Sequence, residues 1–382
     1  MGSSESTQNA RSKEGNDSGR SGSGEELRTE NRDEVTGSDI AKVALTVVAV
    51  GVIGYLSSLG SSESAKNRKT MKAPGRDYRI FRDDFEDDPA GGAFIGNGSF
   101  GSVNFVIPRN THFLQSPTVV KSAHVFKSST LENEYDVLDS LGFCPQIITC
   151  FGHDSTFEHG EEYYNLFLEY AAAGSLADIL KTRRRGFSEL EVRRYTKSIV
   201  EGLRHIHARG FVHCDVKPAN ILLFENGDVK IADFGLAKKA GEKQRNCELR
   251  GTPMCMAPES VNANSYESPV DIWAVGCTVV EMVTGKPAWS FKEGSNVFKL
   301  LIRIGMGDEL PEIPDELCED GRDFVRKCLV KDPSKRWTAE MLLKHPFVAN
   351  EALMMSPRCH FDFPDLNSTE AKGFLVVDTF VS

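Results

Sequence analysis

The sequence has no CxxC pair, no excess of positive charge and no internal repeat. Its nine cysteines are odd in number and scattered singly, a pattern that excludes a disulfide frame or a spaced zinc site and reads as reduced thiols. Asp and Glu outnumber Lys and Arg, 55 to 45, for a net charge of −10. The chain therefore lacks the electrostatic footprint of a nucleic-acid binder, and no nucleic-acid partner is expected. Apolar residues are nearly missing from 1–39, where nine acidic and five basic residues sit among Ser, Gly and Asn. So little to bury predicts a disordered polar tail. What remains is ample: 382 residues, 40 % hydrophobic and 9 % aromatic, make room for a sizeable core in one large or two ordinary domains.

The first apolar block is 40–62, within which Val43 to Ser62 carries no charge. A membrane-spanning helix needs roughly 20 mostly apolar residues. Here the last residues are mostly Ser and Gly, so the strongly apolar part is Val43–Leu56, and spanning and surface-lying helices both stay open. The basic linker that follows, 63–77, places its own side in the cytoplasm by the positive-inside rule. The apolar run starts too far in, without a basic leader, to read as a secretory signal. The opening "MGSSES" fits a myristoylation pattern, with Gly2 and Ser6 in place. A myristoylated terminus stays cytosolic, so both signals hold together only if the apolar block lies on the membrane. Membrane association through 43–59 or through Gly2 is the expectation, with its mode open.

From 78 to 348 the composition is globular, and the chemistry-bearing motifs fall there; 349–382 reads as a tail. The stretch Ile95, Gly96, Asn97, Gly98, Ser99, Phe100, Gly101, Ser102, Val103 holds three glycines in G-x-G-x-x-G spacing. A dinucleotide-binding turn of that spacing opens a helix. Here Val103, Phe105 and Ile107 alternate and Pro108 follows, so the glycines belong to a β-hairpin whose backbone N–H groups can approach phosphates. Lys121 interrupts an apolar strand after Val119 and Val120, a costly place for a cation without a partner. The helix pattern at 129–141 offers Glu134, with Glu132 as the competing candidate. A second amphipathic helix, opened by a Ser188/Glu191 capping box and striped by Tyr195, Ile199, Leu203 and Ile206, ends before Gly210. It feeds the loop "FVHCDVKPANILL", which exposes Asp215, Lys217 and Asn220 together. Asp233 follows on a separate loop. Asn220 and Asp233 give two hard oxygen ligands, which suits Mg²⁺ on a polyphosphate. Asp215 is placed to take a proton from an attacking hydroxyl, and Lys217 to neutralise charge on a moving phosphoryl group.

These motifs, in this order, resemble the eukaryotic protein kinase family; its signature set is a well-known one. "GTPMCMAPE" ending in Glu259, "DIWAVGC" with Asp271 and "KDPSKRW" with Arg336 extend the match. The resemblance implies an α+β, bilobal protein-kinase fold with a small β-rich lobe, a hinge at Glu169–Ala173 and a larger helical lobe. It implies ATP and Mg²⁺ as cofactors and serine/threonine specificity. By the same resemblance Glu259 pairs with Arg336, and Asp271 braces the catalytic loop. Leu168 is the gatekeeper, the Glu169 carbonyl and Ala171 backbone meet the adenine edge, and Thr252 contacts the catalytic Asp and Lys. "VHCDVKPANILL", "GCTVVEMVTGKPAW" and "SPRCHFDFPD" are similar to phrases of plant MAP kinase kinase kinases, which makes a MAP kinase kinase the expected protein substrate. A membrane-anchored kinase of another pathway and a pseudokinase scaffold are the competing functions. Retention of Lys121, Asp215 and Asp233 counts against the scaffold.

The departures are informative. Cys214 stands where many members carry an Arg that grips a phosphate on the activation segment. Between the Asp233-Phe234-Gly235 and Ala257-Pro258-Glu259 motifs the only hydroxyl residue is Thr252. A missing Arg and missing phosphorylation sites coincide, as expected of a live enzyme whose switch lies elsewhere. Cys214 as a redox sensor is the weaker reading, because a reactive thiol needs exposure and a low pKa. Cys255 replaces a common aromatic and Ala219 a Glu of basophilic kinases, so the details of substrate docking depart from the family pattern.

Overall fold

The structure, a computed structural model, describes residues 78–80, 94–98, 101–108, 117–242, 249–290 and 296–349. The polar tail, the apolar block, Gly2, the basic linker, Ser99, Phe100 and residues 350–382 lie outside these. Among the described residues no helix is long and apolar enough to cross a membrane.

Six strands form one antiparallel sheet: β1 (Tyr78–Ile80), β2 (Phe94–Gly98), β3 (Gly101–Pro108), β4 (Thr118–His124), β5 (Cys150–Glu158) and β6 (Glu161–Glu169). Their order is β1-β3-β4-β6-β5, with β2 paired to β3. The glycine-rich stretch is a hairpin, in register Gly96↔Val103, Asn97↔Ser102 and Gly98↔Gly101, and β3 runs on as a strand. That is the backbone expected from the alternation, and it excludes the helix a dinucleotide turn requires. His159 and Gly160, at φ = 50° and 86°, make the two-residue turn between β5 and β6, the geometry that matches strand twist. Helix α1 (Ser129–Leu141) lays Leu131, Val137, Leu138 and Leu141 against one face of the sheet. On the other face Val106, Val120 and Phe167 form a small separate apolar cluster.

The larger half begins with α2 (Leu176–Arg183) and α3 (Glu189–Ala208). The predicted capping box is present: Ser188 accepts from the Glu191 N–H, and Glu191 reaches back to the Ser188 N–H. Tyr195, Ile199, Leu203 and Ile206 are buried in the main core, and Gly210 at φ = 73° turns the chain out of the helix. Four short strands follow: β7 (Phe211–Val212), β8 (Ile221–Leu223), β9 (Val229–Ile231) and β10 (Lys238–Lys239), paired β8 to β9 and β7 to β10. These small ladders clamp both ends of the two site loops. Helices α4 (Pro258–Ala263), α5 (Ser268–Thr284), α6 (Val297–Met306), α7 (Glu319–Cys328), α8 (Ala339–Leu342) and α9 (Pro346–Ala349) complete the half. Every residue of α5 from Val270 to Val280 is buried, so this helix is the axle on which the larger half is built. One apolar cluster runs from Val103 on the sheet to Val348 on α9 and joins both halves.

Candidate active site

A cleft of about 530 Å³, partly open to solvent, separates the sheet from the helical half. Val103, Val119, Leu168, Ala171 and Leu222 give it apolar walls; Lys121, Asn220 and Asp233 supply its polar end. Val103 faces the cleft, and strand alternation turns the Ser102 side chain away, where its Oγ accepts from Asn104. Ser102 therefore offers the cleft its backbone only. Of Ile95, Gly96, Asn97, Gly98 and Gly101 the hairpin backbone is what the structure describes. At the opposite end the chain crosses between the halves. The Glu169 carboxylate accepts from Lys230 Nζ at 2.6 and 2.7 Å and from the Thr149 N–H at 2.6 Å. Glu169 and Ala171, on that crossing, both line the cleft.

Lys121, on β4, is buried, and its Nζ donates to both Glu134 oxygens at 2.9 Å and to Asp233 Oδ1 at 3.0 Å. Glu134 is thus the partner; Glu132 is exposed and bonds Ser128. Burial works against the lysine charge, but Asp233 and Glu134 hold the ammonium above the usual lysine range. Burial likewise opposes ionisation of Asp233, yet Lys121 keeps its carboxyl below the usual range. Asp233 sits at φ = 67°, a left-handed backbone that is strained for a residue with a Cβ and is sustained by the packing around it. Phe234 behind it is fully buried against the His213 ring, 4.8 Å between centroids.

The second loop holds Asp215, whose carboxylate accepts four hydrogen bonds. Lys217 Nζ (2.7 Å) and Asn220 Nδ2 (3.0 Å) meet Oδ2; the Thr252 N–H (2.9 Å) and hydroxyl (2.8 Å) meet Oδ1. Lys217 also donates to the Thr252 hydroxyl at 2.6 Å. The neighbouring Gly251 is at φ = 98°, and a Cβ there would stand 2.4 Å from the Cys214 carbonyl, so only glycine lets the two loops approach. From below, Asp271 on α5 accepts the N–H groups of His213 and Cys214, both at 2.9 Å, and bonds His207 Nε2 at 2.8 Å. Burial alone would raise the Asp271 carboxyl; His207 and His213 bring it below the usual range. Capture of both N–H groups accompanies the left-handed turn at Cys214, φ = 69°. Arg336 pairs with Glu259 at 2.6 and 3.0 Å, pinning α4 to the body.

Cys214 itself is half-buried, and its thiol donates to the Val212 carbonyl at 3.6 Å. Burial, then the Asp271 charge, push its pKa well above the ordinary thiol range, the reverse of what a redox sensor requires. The described residues of the segment between Asp233 and Glu259 are fastened by hydrogen bonds of their own. The Arg250 N–H donates to the Tyr266 hydroxyl at 2.7 Å, its guanidinium to the Leu236 carbonyl at 3.3 Å, and Lys238 Nζ to the Tyr266 carbonyl at 3.2 Å. The Gly241 N–H meets the Glu267 carboxylate at 2.9 Å.

The structure thus gathers Val103, Lys121, Ala171, Asn220 and Asp233 around one cleft, with Glu134 behind Lys121 and Asp215 and Lys217 on the adjoining loop. Sequence reasoning passed over His207, Lys230 and Asn133. The first two bond across 64 and 61 residues, and Asn133 bonds carbonyls a hundred residues on, distances that no local pattern encodes.

A two-lobed fold with a lysine–carboxylate cluster facing a paired Asp–Lys loop defines a phosphoryl-transfer enzyme. The model of the protein kinase domain matches residues 91–348, and the chain belongs to the protein kinase family, as a protein serine/threonine kinase. It is 52 % identical over 300 residues to mitogen-activated protein kinase kinase kinase 20 of Arabidopsis thaliana, covering 72 % of this chain and 88 % of that protein. Mitogen-activated protein kinase kinase kinase 18 of the same plant is 42 % identical over 267 residues, which cover 68 % of this chain and 77 % of that one. For number 17 the identity is 39 % over 262 residues, 68 % of this chain and 69 % of its relative.

Proposed function

We propose that this kinase transfers the γ-phosphoryl group of ATP to a hydroxyl of a MAP kinase kinase, and that it does so without phosphorylation of its own activation segment. The observation that carries this reading is that both halves of the site are assembled together: Lys121 on Glu134 and Asp233, and Asp215 on Lys217 and Thr252. The names of the plant relatives support the substrate class.

Bound ATP would meet the backbone of Glu169 and Ala171 with its adenine edge, and the N–H groups of the glycine-rich hairpin would approach its phosphates. Ser99 and Phe100 belong to that stretch in sequence and lie outside the described residues. Lys121 points into the cleft toward phosphate oxygens. Asn220 and Asp233 line the same polar end with hard oxygens from two separate segments, a donor set that fits Mg²⁺. When bound, Mg²⁺ neutralises charge developing on the phosphate oxygens. Asp215, fixed by its four donors, orients the incoming hydroxyl and accepts its proton. Lys217, shared between Asp215 and Thr252, lies where it balances charge on the group in transit. The kinase domain acts on the cytoplasmic side; attachment through 43–59 or a myristoylated Gly2 is tested by carbonate washing of membranes from cells with and without Gly2→Ala.

Purified full-length protein, treated with phosphatase and then given labelled ATP and a MAP kinase kinase, tests the main claim. Transfer by the wild type and none by Asp215→Asn is the expected result. Silence from both, with nucleotide binding retained, would mean that the chain is a scaffold.

A further inference from the structure

Asn133 lies on α1 immediately before Glu134. Its Nδ2 donates to three backbone carbonyls of one loop: Phe234 at 3.3 Å, Gly235 at 3.1 Å and Ala237 at 2.9 Å. An amide has two N–H groups, so the third acceptor shares a hydrogen. The loop lies just past β9 and begins at the strained Asp233. The Phe234 carbonyl also accepts the Ala237 N–H at 3.0 Å within the loop; the others, in an irregular segment with no ladder to join, need donors from elsewhere. The next helix residue grips the same loop from its other side, because Glu134 Oε1 accepts the Phe234 N–H at 3.3 Å while holding Lys121.

We propose that Asn133 is a positioning residue, whose side-chain amide clasps the carbonyls of Phe234, Gly235 and Ala237 and so ties the helix bearing Glu134 to the loop bearing Asp233. Two successive side chains then make helix and loop one rigid unit. A rotation of α1 that breaks Lys121 from Glu134 also strips the clasp, and a loop that swings Asp233 away must first release Asn133. The amide suits this place in three respects. It donates and carries no charge beside the buried Lys121, Glu134 and Asp233. Its stem spans the gap that serine leaves open. An Asp, of the same shape, would present oxygen to oxygen.

The proposal rests on the metal-holding role given to Asp233, and the experiment separates the two. Full-length wild type, Asn133→Asp, Asn133→Ala and Asn133→Gln are compared for kcat, KM for ATP, Mg²⁺ dependence and melting temperature. Hydrogen exchange of residues 232–242 is followed in nucleotide-free protein. Asn133→Asp is expected to lower kcat on the order of 10- to 100-fold, because misplacing a reacting group by about 1 Å has that effect. KM for ATP stays near wild type, since the hinge and Lys121 are untouched, and the Mg²⁺ needed for half-maximal rate rises. Asn133→Gln, which keeps the amide, recovers part of the rate that Asn133→Ala loses. Exchange in 232–242 quickens in Asn133→Asp and Asn133→Ala while α3 stays protected. Unchanged exchange together with unchanged kcat and Mg²⁺ dependence would overturn the clasp. So would a rate loss that follows melting temperature alone. If the wild type transfers no phosphate, the function falls, and the exchange result still decides for or against the clasp.

Discussion

Lys121 stands between two buried carboxylates, Glu134 and Asp233, so the trio formally carries one excess negative charge. Removing the cation leaves two carboxylates facing each other in a low-dielectric site, and breaking a buried pair in this way costs about 3 kcal/mol. Lys121→Met is therefore expected to abolish transfer and also to lower unfolding stability by about that amount in urea titrations. Adding Glu134→Leu to the same chain restores part of the stability and none of the activity. A Lys121→Met protein as stable as wild type would refute the electrostatic account. At this scale the sequence was legible where a residue contradicts its surroundings: a cation in an apolar strand needs a reason. It was not legible where the reason lies far away. Glu132 and Glu134 both sat within reach of a helix face, and only packing settled the choice. The bond from Lys121 to Asp233 spans 112 residues and leaves no periodic trace.

Helix α5 shows how one element serves the site from two positions. At its start Asp271 fixes the backbone of His213 and Cys214; near its end Glu281 sits in surroundings that disfavour charge. Desolvation pushes the Glu281 carboxyl up to about 7, against the pull of Lys217. An acid raised from 4.5 in the unfolded chain keeps its proton longer when folded, so stability falls as pH climbs from 4.5 to about 7 and then levels off. The full cost, about 3 kcal/mol for a shift of this size, is present at pH 8 and absent at pH 4. Glu281→Gln should accordingly gain stability over wild type at pH 8 and none at pH 4, read from urea midpoints at the two pH values. Equal midpoints at both would show that the carboxyl titrates normally. Elements of this chain were readable in proportion to their amphipathicity. Helix α3 announces itself by a cap and a stripe, and the structure has both. Helix α5 is buried on every side from Val270 to Val280 and, Asp271 and Thr278 apart, is apolar there, so its sequence says "buried" but not which face meets which neighbour.

For the molecule as a whole, the order of motifs along the chain was enough to name the fold, because each motif sits on or beside a strand or helix that the core fixes. What joins the halves was less visible. The ion pair of Glu169 with Lys230 ties the crossing segment to β9, and both partners are mostly covered, at 15 % and 17 % side-chain exposure. Lys230→Met removes that tie while leaving the cleft walls intact. Nucleotide affinity is expected to fall on the order of fivefold with kcat unchanged, as suits a tie of about 1 kcal/mol; titration with a fluorescent ATP analogue measures it. Unaltered affinity would mean that the crossing segment is held by its backbone bonds to Thr149 and Pro117 alone. The activation segment, finally, is fastened by Tyr266, Lys238, Arg250 and Glu267 in a chain whose segment has no hydroxyl but Thr252. If the on-state needs no covalent mark, as proposed, a phosphatase has nothing to erase there. Under the proposed function the duration of a signal then follows the lifetime of the polypeptide, and synthesis and degradation become its clock.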